Sequence, residues 1–245
     1  MQVLPYRLPE KEKREALSMN TRTLAGLLSL FAVPYSLPLM AEPTDDQLRR
    51  GEYIFALGGC ASCHTDSKGD GKPLAGGLKM ETPFGVFYTP NISPDNDHGI
   101  GGWSNKDFIQ AMKKGLSPTG EHYYPAFPYT SYSKMSNQDL LDLKAYLDTQ
   151  APIEQPSKAH ELSFPFNQRA LLSVWKWLNF DEDSFKADPA RSESWNRGAY
   201  LVNGPSHCVE CHTPRNLLGG LDGGAGMVGN EQGPEGEAVP GLVRT

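Results

Sequence analysis

The chain has only four cysteines in 245 residues, and they fall in two pairs. It is also short of positive charge: 23 Lys and Arg against 29 Asp and Glu leave a formal net charge of −6. That balance argues against nucleic acid as a partner and against a basic membrane-binding surface. No alternation of strands and helices of the doubly wound or barrel kind runs through the sequence. There is no dinucleotide fingerprint and no nucleophile motif, so no segment reads as a site for an organic substrate. What it has instead is glycine (25) and proline (20), which favour long shaped loops. With 38% hydrophobic and 21% charged residues, one or two domains with buried cores are expected.

The one long apolar run lies near the N-terminus. Arg22 precedes a stretch from Leu24 to Met40 that is broken by Pro34 and Pro38, and Ala41 offers a small residue for cleavage. This reads as a secretory signal peptide, too short and too interrupted for a permanent span. Residues 1–18 are charged and unlike a normal leader, and Met19 stands directly before the signal-like segment. Met19 is therefore the expected start, residues 1–41 are set apart as extension and signal, and no packed structure is expected before Ala41.

Export sharpens the question of the cysteines, because thiols outside the cytoplasm oxidise or are captured. The first pair stands in GGCASCHTD and the second in GPSHCVECHTP. Two disulfides would not need a histidine after each second cysteine. A single zinc site would have to bring together pairs about 150 residues apart. A redox dithiol is expected once, within a βαβ pattern. Covalent haem c uses every residue: two thiols add to the two vinyl groups, and the next histidine ligates the iron. Cys60, Cys63 and His64 are thus expected to hold one haem, and Cys208, Cys211 and His212 a second.

The surroundings of the motifs repeat. Arg50-Gly-Glu-Tyr precedes the first and Arg197-Gly-Ala-Tyr the second. Thr44 and Gln47 read as a capping box for the helix leading into the first motif, and Tyr53 and Tyr200 read as core residues. A glycine- and proline-rich loop is expected over 66–102. A helix capped by Ser104, with Asp107 at its third position and stopped by Gly115, buries Phe108, Ala111 and Met112. A last helix from Ser136 carries Leu140, Leu143 and Leu147 on one stripe. The plan is mainly α: a class I cytochrome c-like domain over 42–153, a linker over 154–191, and a second cytochrome c-like domain over 192–245. Trp175 and Trp177, in a short helix of the linker, are expected to pack between the two haem domains or, as the alternative, against a partner.

A methionine on the far side of the iron suits electron transfer, since it raises the potential. Met135 ends HYYPAFPYTSYSKM, an aromatic and proline-rich loop just before the last helix, and is the expected ligand of the first haem. Met80 follows its motif too closely, Met112 fits a core stripe, and His98 and His122 lie in polar settings. Pro90 is the expected carbonyl partner of the other ring nitrogen of His64. For the second haem the same offset falls beyond residue 245, and Met227 matches Met80 rather than Met135. The second domain is accordingly expected to be incomplete, with a poorly ordered glycine-rich tail.

GEYIFALGGCASCHT, TPNISPD, YYPAFPYTSYSKM, WNRGAYLVNG and HCVECHTPRNLLG resemble the multihaem cytochrome c subunits of membrane-bound alcohol, aldehyde and gluconate dehydrogenases. The resemblance covers residues 45 to about 225. It implies a chain at the outer face of the cytoplasmic membrane that takes electrons from a dehydrogenase catalytic subunit and passes them to quinone or a terminal oxidase. It also implies Met135 as distal ligand. A third haem motif and a C-terminal anchor, usual in that family, have no counterpart here, which puts quinone reduction in doubt. The competing expectation is a di-haem enzyme of peroxidase or thiosulfate-oxidising type, with an open second haem.

Overall fold

The computed structural model describes residues 42–231, 233 and 236–243. The expected signal peptide and the stretch before it lie outside the described residues.

Helices start where a side chain can take up a free backbone N–H. Thr44 accepts from Gln47 N at 3.2 Å and opens α1, Asp45–Leu57. Gly58 and Gly59 then turn the chain into α2, Cys60–His64. Ser104 and Asp107 make a reciprocal capping box before α3, Asn105–Lys114, which Gly115 ends. A single-turn α4, Tyr129–Tyr132, follows Pro128. Ser136 caps α5, Asn137–Asp148. Further on come α6, Leu171–Asn179, then α7, Glu193–Asn203, capped by Ser192, and α8, Val209–His212.

The main core forms where α1 crosses α5. Gly51 lies so close to α5 that a Cβ there would sit 2.0 Å from the Asp142 carbonyl oxygen. The buried Asp142 carboxylate is fully engaged, accepting from Arg50 Nε at 2.6 Å and Gln138 Nε2 at 2.7 Å. Ile54 of α1, Phe108 and Met112 of α3, and Leu140, Leu143 and Leu147 of α5 close the core around Met135. Burial of each such side chain contributes about 1.5–3 kcal/mol.

Several local expectations change. The stretch expected as loop carries a hairpin, β1 (Lys79–Thr82) against β2 (Gly85–Tyr88), with Met80 opposite Phe87. The cause is tertiary: these two side chains pack into a second apolar cluster with Tyr124, Leu162 and Leu172. Leu162 lies in β3, Glu161–Leu162, which pairs with β2, so residues 154–191 add a strand and α6 to the first unit's flank. Lys176 clamps α6 in place, donating to the carbonyls of Lys114 (2.6 Å) and Gly115 (2.9 Å) at the end of α3. Its ammonium lies 4.6 Å from the Tyr129 ring centroid, and burial pulls its pKa down to about 8.

Tyr53 is not a core residue; it is 48% exposed, because α1 buries the face of Gly51 and Ile54. Only one of the two linker tryptophans packs inward. Trp175 Nε1 donates to the Leu218 carbonyl at 2.7 Å, whereas Trp177 is 82% exposed. The glycine-rich tail is not featureless either: β4, Gly229–Asn230, pairs with β5, Val239–Pro240.

The repeat holds in sequence more than in packing. Among the described residues nothing lies within 4 Å of a Cβ built on Gly198, the counterpart of Gly51. Instead α7 meets the start of α5 through Tyr200, whose hydroxyl accepts from Ser136 N at 3.0 Å and donates to Asp139.

Candidate functional site

No disulfide joins any two of the four cysteines. Among the described residues no three His, Cys, Asp or Glu side chains gather as a metal-holding group, so the two pairs do not merge into one zinc site. Burial pushes the Cys60 thiol up to about 12 and raises Cys63 and Cys211 as well. That direction is the opposite of the depressed thiol that marks a reactive redox dithiol.

In the first motif His64 Nδ1 donates to the Pro90 carbonyl at 2.8 Å. One ring nitrogen is thereby spent and oriented, and Nε2 is left for a metal. Burial lowers the His64 pKa, which favours the neutral imidazole that ligation needs. Gly76 makes this approach possible: at φ 71° it donates its N–H to the His64 carbonyl at 2.8 Å, and a Cβ there would lie 2.4 Å from Pro90 C.

Met135 is 1% exposed. Its N–H donates to the Tyr132 carbonyl at 3.0 Å, and its own carbonyl accepts from Lys113 Nζ at 3.0 Å. It lines a small apolar cavity together with Cys60, Ile54, Met112, Tyr132 and Pro205. The chain thus brings Met135 and Cys60 to one place across the first unit. Met112 reaches the same cavity from α3, while Met80 packs with the second apolar cluster. His98 is taken by Asp95, with Nδ1 at 3.2 Å from Oδ1. His122 sits on a bridge to Leu116, its Nδ1 buried without a partner among the described residues.

The second motif repeats the proximal arrangement. Cys208 precedes α8, which carries Cys211 and His212. His212 Nδ1 donates to the Pro240 carbonyl in β5 at 2.7 Å. The carbonyl lies 28 residues after the histidine here and 26 in the first motif. Pro240 was missed by sequence reasoning; the signal was a proline at nearly the spacing that had singled out Pro90. The Met227 carbonyl accepts from Leu242 N at 2.9 Å, beside β5.

The two motifs share a wall. Pro205 closes the Cys60 cavity, His207 Nε2 donates to the Gly58 carbonyl at 3.2 Å, and the His207 ring stands edge-on to Tyr132 at 5.6 Å. Glu210, inside the second motif, is buried against Thr130 and Ser131 of α4. Nothing in a Cys-x-x-Cys-His pattern announces a role for an intervening residue, so Glu210 was not legible.

The donor sets fit covalent haem: two free thiols, an imidazole with Nε2 unspent, and, for the first motif, a buried thioether. Comparison with known proteins gives the same answer. The cytochrome c family matches residues 48–151. The chain is 50% identical to a diheme cytochrome c-type protein of Cereibacter sphaeroides over 79% of its own length and 66% of that protein's. It is 48% identical to a nicotinate dehydrogenase subunit of Pseudomonas putida, covering 76% of this chain and 16% of that one. It is 38% identical to the fructose dehydrogenase cytochrome subunit of Gluconobacter japonicus, covering 83% and 42%. The chain therefore spans less than two thirds of the length of each of these relatives.

Proposed function

Since the chain belongs to the cytochrome c family, with covalently attached haem c as its cofactor, we propose that it relays electrons from a dehydrogenase catalytic subunit toward a quinone or a terminal oxidase. The cofactor supplies a one-electron couple, and the protein supplies its attachment, orientation and shielding. Cys60 and Cys63 hold the first haem by thioether bonds, His64 takes the proximal position through Nε2, and Met135 the distal one. Cys208, Cys211 and His212 hold the second. The first haem unit covers 42–153, the second 192–245, with 154–191 packed alongside. The apolar core around Met135 keeps water from the first site. The names of the relatives, which include nicotinate and fructose dehydrogenase components, support a dehydrogenase as the electron donor. The signal-like residues 20–41 support work outside the cytoplasm, where cytochromes c are matured.

The observation that carries this reading is that both motif histidines commit Nδ1 to a proline carbonyl, Pro90 and Pro240. The test is intact mass and spectra of the exported protein from a host that matures cytochromes c. Two haem additions are expected, with a far-red Met–iron band that disappears in Met135→Ala while both haems stay attached. No covalent haem would overturn the reading, and an unchanged band in Met135→Ala would remove Met135 from it.

A further inference from the structure

We propose that Glu210 is a positioning residue through which the second attachment motif fixes the methionine loop of the first haem site. The inference rests on Met135 as the distal ligand of that haem.

Glu210 is only 7% exposed, although nothing about haem attachment needs its position buried. Its counterpart in the first motif, Ser62, is exposed. The Glu210 carboxylate turns away from its own motif and onto α4. Its Oε1 accepts from Thr130 Oγ1 at 2.6 Å and from Ser131 Oγ at 2.7 Å. Its Oε2 accepts from Arg215 Nη2 at 2.8 Å, and the same nitrogen donates to the Glu210 carbonyl at 2.9 Å. The carboxylate is thus held from both sides and its charge is matched, which burial requires.

Thr130 and Ser131 belong to the turn from which Met135 hangs. Ser133 N donates to Tyr129 O at 2.8 Å and Met135 N to Tyr132 O at 3.0 Å, so α4 and the methionine move together. Ser131 is wholly buried, and its hydroxyl is spent on the Glu210 carboxylate. Removing the carboxylate leaves the Ser131 hydroxyl without its acceptor in the interior and takes from Arg215 its charge partner, and α4 is free to shift to relieve the buried hydroxyl. A shift of α4 carries Met135 away from Cys60 and His64. Sites that lie far apart in sequence are in this way mechanically joined.

The test uses the mature protein with both haems and four forms: wild type, Glu210→Ala, Glu210→Gln, and Thr130→Val with Ser131→Ala. Haem content is read by intact mass. Imidazole, which competes with methionine for the iron, is titrated while the far-red Met–iron band is followed. In Glu210→Ala the apparent imidazole affinity at the methionine-ligated haem should rise about tenfold, the population change that one lost charge-assisted hydrogen bond corresponds to. The midpoint potential of that haem should fall with it. Glu210→Gln keeps an acceptor oxygen and should restore most of the wild-type behaviour. The Thr130/Ser131 pair leaves the second motif untouched and should reproduce Glu210→Ala; it decides the matter if Glu210→Ala fails to fold or loses its second haem. Wild-type affinity and potential in the two-haem pair variant would overturn the proposal. Absence of a Met135-dependent band in the wild type would instead overturn the ligand assignment on which it rests.

Discussion

Gly51 and Gly198 occupy the same place in the two copies of the Arg-Gly-x-Tyr repeat, yet replacing each by alanine should move stability in opposite directions. In a helix interior, Gly→Ala alone gains about 1 kcal/mol. At Gly198 the new methyl meets nothing within 4 Å, so that gain should appear nearly in full. At Gly51 the methyl would lie 2.0 Å from the Asp142 carbonyl oxygen and 2.7 Å from Tyr146 Cβ. Ordinary contact begins near 3.4 Å, so α1 and α5 must separate by more than 1 Å. That separation also pulls Arg50 from the buried Asp142 and loosens Ile54 against the leucines of α5. Overpacking of this kind costs about 1–3 kcal/mol, and a backbone atom that cannot rotate aside puts the cost at or above the top of that range. The net loss at Gly51 is then about 2–3 kcal/mol. For a chain of this length each kcal/mol moves Tm by about 2–4 °C. Thermal melts of the mature protein followed by far-ultraviolet circular dichroism should show Gly51→Ala lower by roughly 4–12 °C and Gly198→Ala higher by roughly 2–4 °C. Equal shifts of the same sign in the two variants would refute the reasoning, because propensity would then outweigh the crossing.

Lys176→Met keeps the apolar stem but leaves the carbonyls of Lys114 and Gly115 without their donor. It should cost about 1–3 kcal/mol, seen as a lower urea midpoint at unchanged m; an unaltered midpoint would mean that α6 is not held by this lysine. His160 accepts from Tyr88 N at 3.2 Å through Nδ1, and burial, aided by Arg169, lowers its pKa. The unfolded chain then takes up the proton first, so stability is intact above about pH 6.5 and falls as the pH drops below it. The urea midpoint should decline from about pH 7 to 5, and His160→Gln should flatten part of that decline; an identical slope in the variant would count against it.

The parts legible in the sequence are those written in short stretches. The caps at Thr44, Ser104 and Ser136 follow from one side chain reaching a backbone N–H three residues on. The stripe of Leu140, Leu143 and Leu147 is a helical period, and the Pro90 carbonyl stands where its position after the motif suggested. What stayed hidden depends on segments far apart. The β1–β2 hairpin is stabilised by Tyr124 and Leu172, neither of them near it in sequence. Tyr53 turned outward because its helix met α5 through Gly51, and a glycine gives no sign of what it touches. Glu210 acts through partners about 80 residues away, beyond the reach of any local pattern, whereas Pro240 repeats the spacing of Pro90 to within two residues and was readable only from that repeat.

His207 and the Gly58 carbonyl are 149 residues apart, and the residues beside them complete the enclosure of Cys60. A chain delivered N-terminus first presents Cys60 and Cys63 before that enclosure can form, because 149 residues separate its two sides. During this interval the first pair of thiols stands open to the attachment machinery. The second motif has a shorter one, since Pro240 follows His212 by only 28 residues. The order of segments along the chain therefore favours attachment at the first motif: its enclosure waits for 149 further residues, that of the second for only 28.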